Sequence, residues 1–418
     1  MKIKTNTSSM VLLGLAAAAV LCAQTGPALT TLYSFSGGDD GSMPYSPITA
    51  GEGGTLYGTT LDGGTFKDGV VFSLTPPAAP GAAWTETVLY DFNGTDGGDP
   101  DGGMVLAANG VLYGTTVGKA NAGGKTANGT VFSLTPPSAP GKPWRQAVLY
   151  NFGAGAGPFG ALAIGAGEVF YGTTQIGGAE GKGMVFSLTP PLAAGDPWTE
   201  TELFSFNGRT DGSKPESGVV IGNGGVLYGS AANVFSLAPP AAPGGAWTET
   251  VLDNFEGSNS GSPYGVAIGS GGVLYGTTFD GGTGSNCNGG QSGCGTVFSM
   301  TPPAAPGGAW TETVIHNFAG GSDGSYPFPG SILLVGPGGV LYGTTEVGGT
   351  SNSGTVYSLT PPPAPGGAWT ETVLYSFTGG SDGSEPLVGV VFGPGGLLYG
   401  TTTAGGTANS GTVFALQP

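Results

Sequence analysis

Short runs of apolar residues alternating with Thr, Ser and Glu recur along the chain, divided by clusters of Gly, Pro and Asn. Three phrases return in a constant order. The first is Leu-Tyr-Gly or a close variant, with its Tyr at Tyr57, Tyr113, Tyr171, Tyr228, Tyr275, Tyr342 and Tyr399. The second is Val-Phe-Ser-Leu or a variant, with its aromatic at Phe72, Phe132, Phe186, Phe235, Phe298, Tyr357 and Phe414. The third is Trp-Thr-Glu-Thr-Val-Leu-Tyr-x-Phe, ending at Phe92, Phe152, Phe206, Phe255, Phe318 and Phe377. A seventh copy of its tail is Thr31-Leu32-Tyr33-Ser34-Phe35. β-Branched and aromatic runs bounded by turn residues predict strands. They are strands b, c and d of one repeated unit. A fourth strand, a, precedes b, as in Gly218 to Gly222 and Gly389 to Gly393, and its small residues suit a crowded centre.

From Tyr57 to Tyr399 in six steps, the mean period is about 57 residues. Four strands repeated seven times predict an all-β, seven-bladed β-propeller with four antiparallel strands per blade. The last unit stops after strand c at Leu416, and the chain opens with an orphan strand d at Thr30 to Phe35. Together they complete one blade, so the N-terminal strand closes the ring and hides the sheet edges. The rival is an open solenoid of the same units, which would leave uncapped ends. The expected organisation is a signal peptide over 1–23 and one propeller domain over 24–418.

In such a meander, loops a–b and c–d share one face, and loops b–c and d–a share the other. From the strand c aromatic to the following Trp is 12 residues in every complete copy, as from Phe72 to Trp84. This Pro-rich c–d loop is stiff. The b–c distance instead runs from 7 residues, Tyr228 to Phe235, to 23, Tyr275 to Phe298. Variable loops on a rigid scaffold are where binding concentrates. More than half of the 27 acidic residues fall on this variable face, against Lys67, Lys119, Lys125, Lys182, Arg209 and Lys214.

Composition changes the picture in three respects. Gly (86) and Pro (33) exceed a quarter of the 418 residues, but 41 aromatic residues supply a core and argue against disorder. A net charge of −17 disfavours nucleic acid and anionic lipid as partners. Lys2 and Lys4, then an apolar run from Met10 to Leu21, read as an export signal ending near Ala23. A lipoprotein signal would need a small residue before Cys22, where Leu21 stands. No later stretch is long and apolar enough to span a membrane. The remaining cysteines, Cys287 and Cys294, form a local disulfide if the compartment is oxidising, or stay free thiols if it is not.

The candidate ligand-binding residues are the variable-face aspartates Asp40, Asp62, Asp96, Asp211, Asp280, Asp323 and Asp382. Several sit in Asp-Gly-Ser loops, as at 320–325 and 379–384. One reading is turn chemistry, the carboxylate capping a backbone N–H beside a Gly of positive φ. The other is calcium, whose hard oxygen ligands suit such loops, shared between neighbours because each loop alone has too few carboxylates. His316, the only histidine, stands in the strand d Tyr slot and reads as a structural substitute, with no motif for a catalytic triad. No carboxylate pair stands out for glycoside hydrolysis. Trp84, Trp144, Trp198, Trp247, Trp310 and Trp369 open strand d and read as packing between blades rather than sugar platforms.

The unit from Gly339 to Leu359, Gly-Val-Leu-Tyr-Gly-Thr-Thr through Gly-Thr-Val-Tyr-Ser-Leu, resembles the GloVer-type tandem repeat. That family comprises bacterial exported proteins with varied C-terminal sorting anchors. The resemblance covers nearly all of residues 30–418 and implies an extracellular, cell-surface or periplasmic life without catalytic residues to carry over. The chain departs from it by ending at Pro418 without a sorting anchor. The leading expectation is a non-enzymatic, monomeric binding module meeting a glycan, peptide or cell-surface component on its acidic face, with no resident cofactor beyond calcium. The alternative is an extracellular glycan-active hydrolase or lyase using variable-face carboxylates, and a purely architectural spacer is a third reading.

Overall fold

A computed structural model describes residues 28–418, except 80, 119–128, 140, 153–156, 194, 243, 257–260, 288–292, 306, 329–331 and 365. The expected signal segment, 1–23, and Lys119 and Lys125 lie outside the described residues. Seven four-stranded antiparallel sheets form the seven blades of a propeller. The first contains β2 (Thr49–Ala50), β3 (Leu56–Thr60), β4 (Val70–Thr75) and β5 (Thr85–Asp91), in the predicted order a, b, c, d. The last contains β26 (Val391–Phe392), β27 (Leu398–Thr402) and β28 (Thr412–Leu416), and β1 (Leu29–Ser34) completes it. β1 runs antiparallel to β28, with Leu29 opposite Leu416 and Ser34 opposite Thr412. The ring is therefore closed by the two chain ends, and the open solenoid is excluded. No helix among the described residues is long and apolar enough to cross a membrane.

The repeated phrases become strands because each residue has one place to go. In Leu-Tyr-Gly the Leu is buried, and the Gly leaves room for the strand c ring. A Cβ at Gly58 would stand 2.6 Å from Cζ of Phe72. The two aromatic residues that mark strands c and d meet across the blade boundary. Phe92 packs edge-on to Phe132 at 5.1 Å between ring centroids, and Phe377 to Phe414 at 5.3 Å. The same contact occurs at all seven junctions, including Phe35 against Phe72 at 5.1 Å where the last blade meets the first. Apolar clusters sit between blades: one joins Phe35, Tyr399 and Val413 to Ile48 and Phe72, from opposite ends of the chain.

Each Trp also reaches back one blade. Trp144 lies edge-on to Tyr57 at 6.1 Å, Trp310 to Tyr228 at 5.8 Å, and Trp84 to Tyr399 at 6.5 Å. The first Thr after Leu-Tyr-Gly ties blades through its hydroxyl: Thr59 donates to the carbonyl of Pro100 at 2.7 Å, and Thr173 to that of Ser217 at 2.7 Å.

Two features differ from the sequence reading. Strand a, expected over five residues, is only two long at Val220–Ile221 and Val391–Phe392, yet extends over Pro158–Ile164 and Pro263–Ile268 in two other blades. Its preceding Gly lies so close to the next chain segment, as Gly218 does to Ala161, that a side chain would meet backbone there. The second difference is a β-bulge between strands c and d in every sheet. In the first blade, Phe72 pairs with Val88 and Val71 with Tyr90, leaving Leu89 unpaired. A bulge twists an outer strand and blunts its exposed edge.

Closure by β1 makes two predictions for urea or thermal unfolding. Phe35→Ala should cost about 3–5 kcal/mol, the usual loss for a buried ring. Deleting residues 28–35 should lower the Tm well beyond that variant. A deletion that melts with the full chain would contradict the closed ring.

Candidate functional site

The b–c and d–a loops do share one face, where their backbones bridge: Ser42 pairs with Asp62, Ser325 with Val347, and Ser384 with Ala404. The predicted aspartates lie in these loops, and the structure distributes them around the ring of blades. Asp40, Asp96 and Asp382 occupy one repeated setting. The Asp40 carboxylate accepts from the Tyr33 hydroxyl at 2.9 Å, the Ser36 N–H at 2.8 Å and the Ser36 hydroxyl at 2.5 Å. Asp382 accepts likewise from Tyr375 at 3.0 Å and from the Thr378 N–H at 2.8 Å. Asp96 accepts from Tyr90 and from the Asn93 N–H at 3.1 Å. Asp211 takes the Asn207 N–H at 2.9 Å, with Phe204 in the Tyr slot.

Asp323 takes the Ala319 N–H at 2.5 Å and faces His316 Nε2 at 3.6 Å. His316 stands edge-on to Phe318 at 4.8 Å, as Tyr90 does to Phe92 at 5.2 Å, so it fills the Tyr slot in packing as well. Asp280 caps the Ser262 N–H at 2.9 Å, and Asp62 joins the bridge with Ser42. Burial would raise Asp382, but Thr378 and Tyr375 outweigh it and hold the carboxyl below its ordinary value. Among the described residues, no three Asp, Glu, His or Cys side chains converge as metal ligands. Cys287 and Cys294 form a disulfide in the b–c loop of the fifth blade, with Cα atoms 5.4 Å apart.

The centre of the same face is built by a position that sequence reading passed over. Every unit carries a proline before strand a or as its first residue: Pro44, Pro100, Pro158, Pro215, Pro263, Pro327 and Pro386. The residues that follow are Tyr45, Asp101, Phe159, Glu216, Tyr264, Phe328 and Leu387. Five of these, Tyr45, Asp101, Phe159, Glu216 and Phe328, line one cavity of about 130 Å³ at the channel mouth. The residue before the proline is left-handed in five units, Met43 (φ 55), Asp99 (φ 52), Lys214 (φ 50), Tyr326 (φ 60) and Glu385 (φ 56). Such backbone costs about 1–3 kcal/mol per residue and persists where its surroundings fix it. Here hydrogen bonds do so. The Met43 N–H donates to Ser410, in the neighbouring blade, at 3.0 Å, and the Met43 carbonyl accepts from Leu61 at 3.0 Å. Glu385 repeats both bonds with Ser353 and Thr403.

The mouth has two unlike walls. One is aromatic: Tyr45 meets Phe328 at 5.9 Å, Phe328 meets Phe279 at 6.0 Å, and Phe279 meets Tyr264 at 6.4 Å. The other is polar, with Asp101, Glu216 and Gln175, whose amide donates to Glu216 at 2.6 Å. Asp101 keeps an opening to the channel but is otherwise enclosed by protein. Burial, then the charges of Asp99 and Glu216, push its carboxyl up to about 7. Tyr264 is pushed up to about 12 by burial and by Glu216, and Tyr45 is raised by burial and then by Asp101. The signal for this site was present in the sequence as the variable residue after a constant proline. Its meaning required knowing that all seven copies point to one axis.

The Gloeobacter/Verrucomicrobia repeat pattern matches residues 19–237 and 231–418. No curated protein matches the chain. Among solved structures, a provisionally assigned glucose dehydrogenase-type oxidoreductase of Thermus thermophilus is 17% identical. That match covers 94% of this chain and 100% of the other, with a TM-score of 0.47. The soluble aldose sugar dehydrogenase of Escherichia coli in its apo-form is 14% identical over 75% of this chain and 94% of its own, with a TM-score of 0.43. The PQQ-bound aldose sugar dehydrogenase of Streptomyces coelicolor is 12% identical over 79% and 97%, with a TM-score of 0.41. At these identities none of their chemistry transfers to this chain.

The raised carboxyl of Asp101 has a signed consequence. Between its ordinary value of 3.8 and about 7, the folded chain holds a proton that the unfolded chain has lost. Its contribution to stability is therefore fully present below the lower value and is lost as pH rises through about 7. Tm measured across that window should fall less steeply with rising pH in Asp101→Asn than in the unaltered chain. Identical slopes would show that Asp101 ionises normally.

Proposed function

We infer that this chain, which belongs to the Gloeobacter/Verrucomicrobia repeat family, is an exported binding module that takes a projecting group of its ligand into the channel mouth on the variable-loop face. The observation that carries this reading is the convergence, from five of the seven blades, of the residue after the repeated proline on a single cavity. The strands and Pro-rich turns of the unit repeat because the fold needs them, whereas this position holds Tyr45, Asp101, Phe159, Glu216 and Phe328 in different blades. A concave site with aromatic walls and a few fixed polar groups is the common form of a ligand pocket. The surrounding loops, of unequal length, then meet the rest of a glycan or peptide. The disulfide supports an oxidising, extracytoplasmic setting.

A second reading has its own support. Asp101, its carboxyl pushed up to about 7, stands beside Glu216, and a pair of carboxyl groups is what a glycan-active hydrolase or lyase requires. It expects Asp101→Asn to abolish turnover of a polysaccharide while the fold survives.

Glycan and peptide arrays probed with the full chain test the first reading. Phe328→Ala and Tyr45→Ala should weaken the signals of the unaltered protein about tenfold or more, the loss typical of a central aromatic anchor. Leu192→Ala, a fully exposed position on the Pro-rich opposite face, should leave them unchanged. Arrays indifferent to both mouth variants would remove the channel from the binding surface.

A further inference from the structure

We propose that the channel mouth receives an ammonium group on an apolar stem, the chemistry of a lysine side chain in an exposed peptide. This deepens the binding-module reading and rests on it. Three features of the cavity converge.

The first is an acidic wall with no basic partner. Asp101 and Glu216 both face the cavity, and no Lys or Arg is among the residues lining it. Lys214 borders the adjoining groove beside Glu216, but its side chain is exposed to solvent. Gln175 supplies one donor to Glu216, whereas none of the described residues donates a hydrogen bond to Asp101. The charges of Asp99 and Glu216 therefore work against an ionised Asp101 inside the fold. A cation entering between Asp101 and Glu216 would relieve that repulsion and satisfy the open acceptor.

The second is the opposite wall. Tyr45 and Phe328 stand perpendicular at 88°, and Phe159, whose blade lies between those of Asp101 and Glu216, lines the cavity from the acidic side. Ring faces attract a desolvated ammonium and also bury a methylene stem. An amino sugar lacks the unbranched apolar stem that this wall would bury.

The third is size. About 130 Å³ is close to the roughly 150 Å³ of a buried cavity that accepts a benzene ring. A butylammonium end fits such a space. The peptide backbone that bears it would remain outside, over the variable loops.

The test is titration calorimetry of the full chain with three probes: Nα-acetyl-lysine methylamide, its norleucine counterpart and glucosamine. Saturable binding is expected for the lysine probe, with affinity at least about tenfold above either of the others, the margin of one charge-assisted hydrogen bond. Asp101→Asn and Glu216→Gln, each checked for an unchanged fold by circular dichroism and melting, should each weaken the lysine probe by a similar factor. They should leave the norleucine probe unaffected. Equal binding of norleucine would show an apolar pocket indifferent to charge, and tighter binding of glucosamine would assign the site to sugar. Either result, or no binding of the lysine probe, overturns the proposal. If the probes fail while array signals still depend on Phe328, the mouth remains the binding site and only its assigned ligand is wrong. If array signals ignore Phe328, the underlying reading fails first.

Discussion

The edge-to-face contact between the strand d aromatic of one blade and the strand c aromatic of the next is the interaction on which this structure depends. A single four-stranded sheet of this length has two faces to cover and no helix to cover them. Each blade can bury its faces only against its neighbours, so the contact must be made at every junction or at none. The ring pairs lie between 4.6 and 5.3 Å apart at all seven boundaries, which holds the junctions nearly equivalent. Near-equivalent junctions turn by equal angles, and equal angles bring the last sheet to the first. Phe35, at the end of β1, supplies the ring for the final boundary.

That demand explains why the unit repeats so strictly in some places and so loosely in others. Gly58 and its counterparts are constrained by the ring lying over them, and Thr59 by the carbonyl it reaches in the next blade. The aspartates of the d–a turns are constrained as well, because each holds a strand d hydroxyl or a turn N–H. The residue after the strand a proline carries no such duty. In five units it lines the central cavity, where Tyr, Asp, Phe and Glu side chains stand without disturbing any junction. The rigid ring thus leaves one free choice per blade at its centre, and the aromatic and acidic walls are those choices.

The order of loops on the two faces follows from the same meander. The Pro-rich c–d loops repeat at constant length beside Tyr–Trp contacts that lock them between blades. The b–c loops project on the other face and vary freely, even to the point of carrying a disulfide at Cys287 and Cys294. Loop-length variation therefore collects on the face that carries the channel mouth.

The sequence by itself determined the strand order, the number of blades, the shared blade of the two termini and the division into a constant and a variable face. Each of these depends on local periodicity and on counting copies. It also carried the packing role of Trp84 and its counterparts and the slot of His316, because a repeat exposes what each position must do. Only the tertiary structure decided the bulge at Leu89, the unequal length of strand a from blade to blade and the meeting of Tyr45, Asp101, Phe159, Glu216 and Phe328. Those five lie in different repeats, and only the proline before each is common to them. They become a site only because closing a ring sends every strand a to one axis, and that convergence is a property of the whole circle rather than of any single unit.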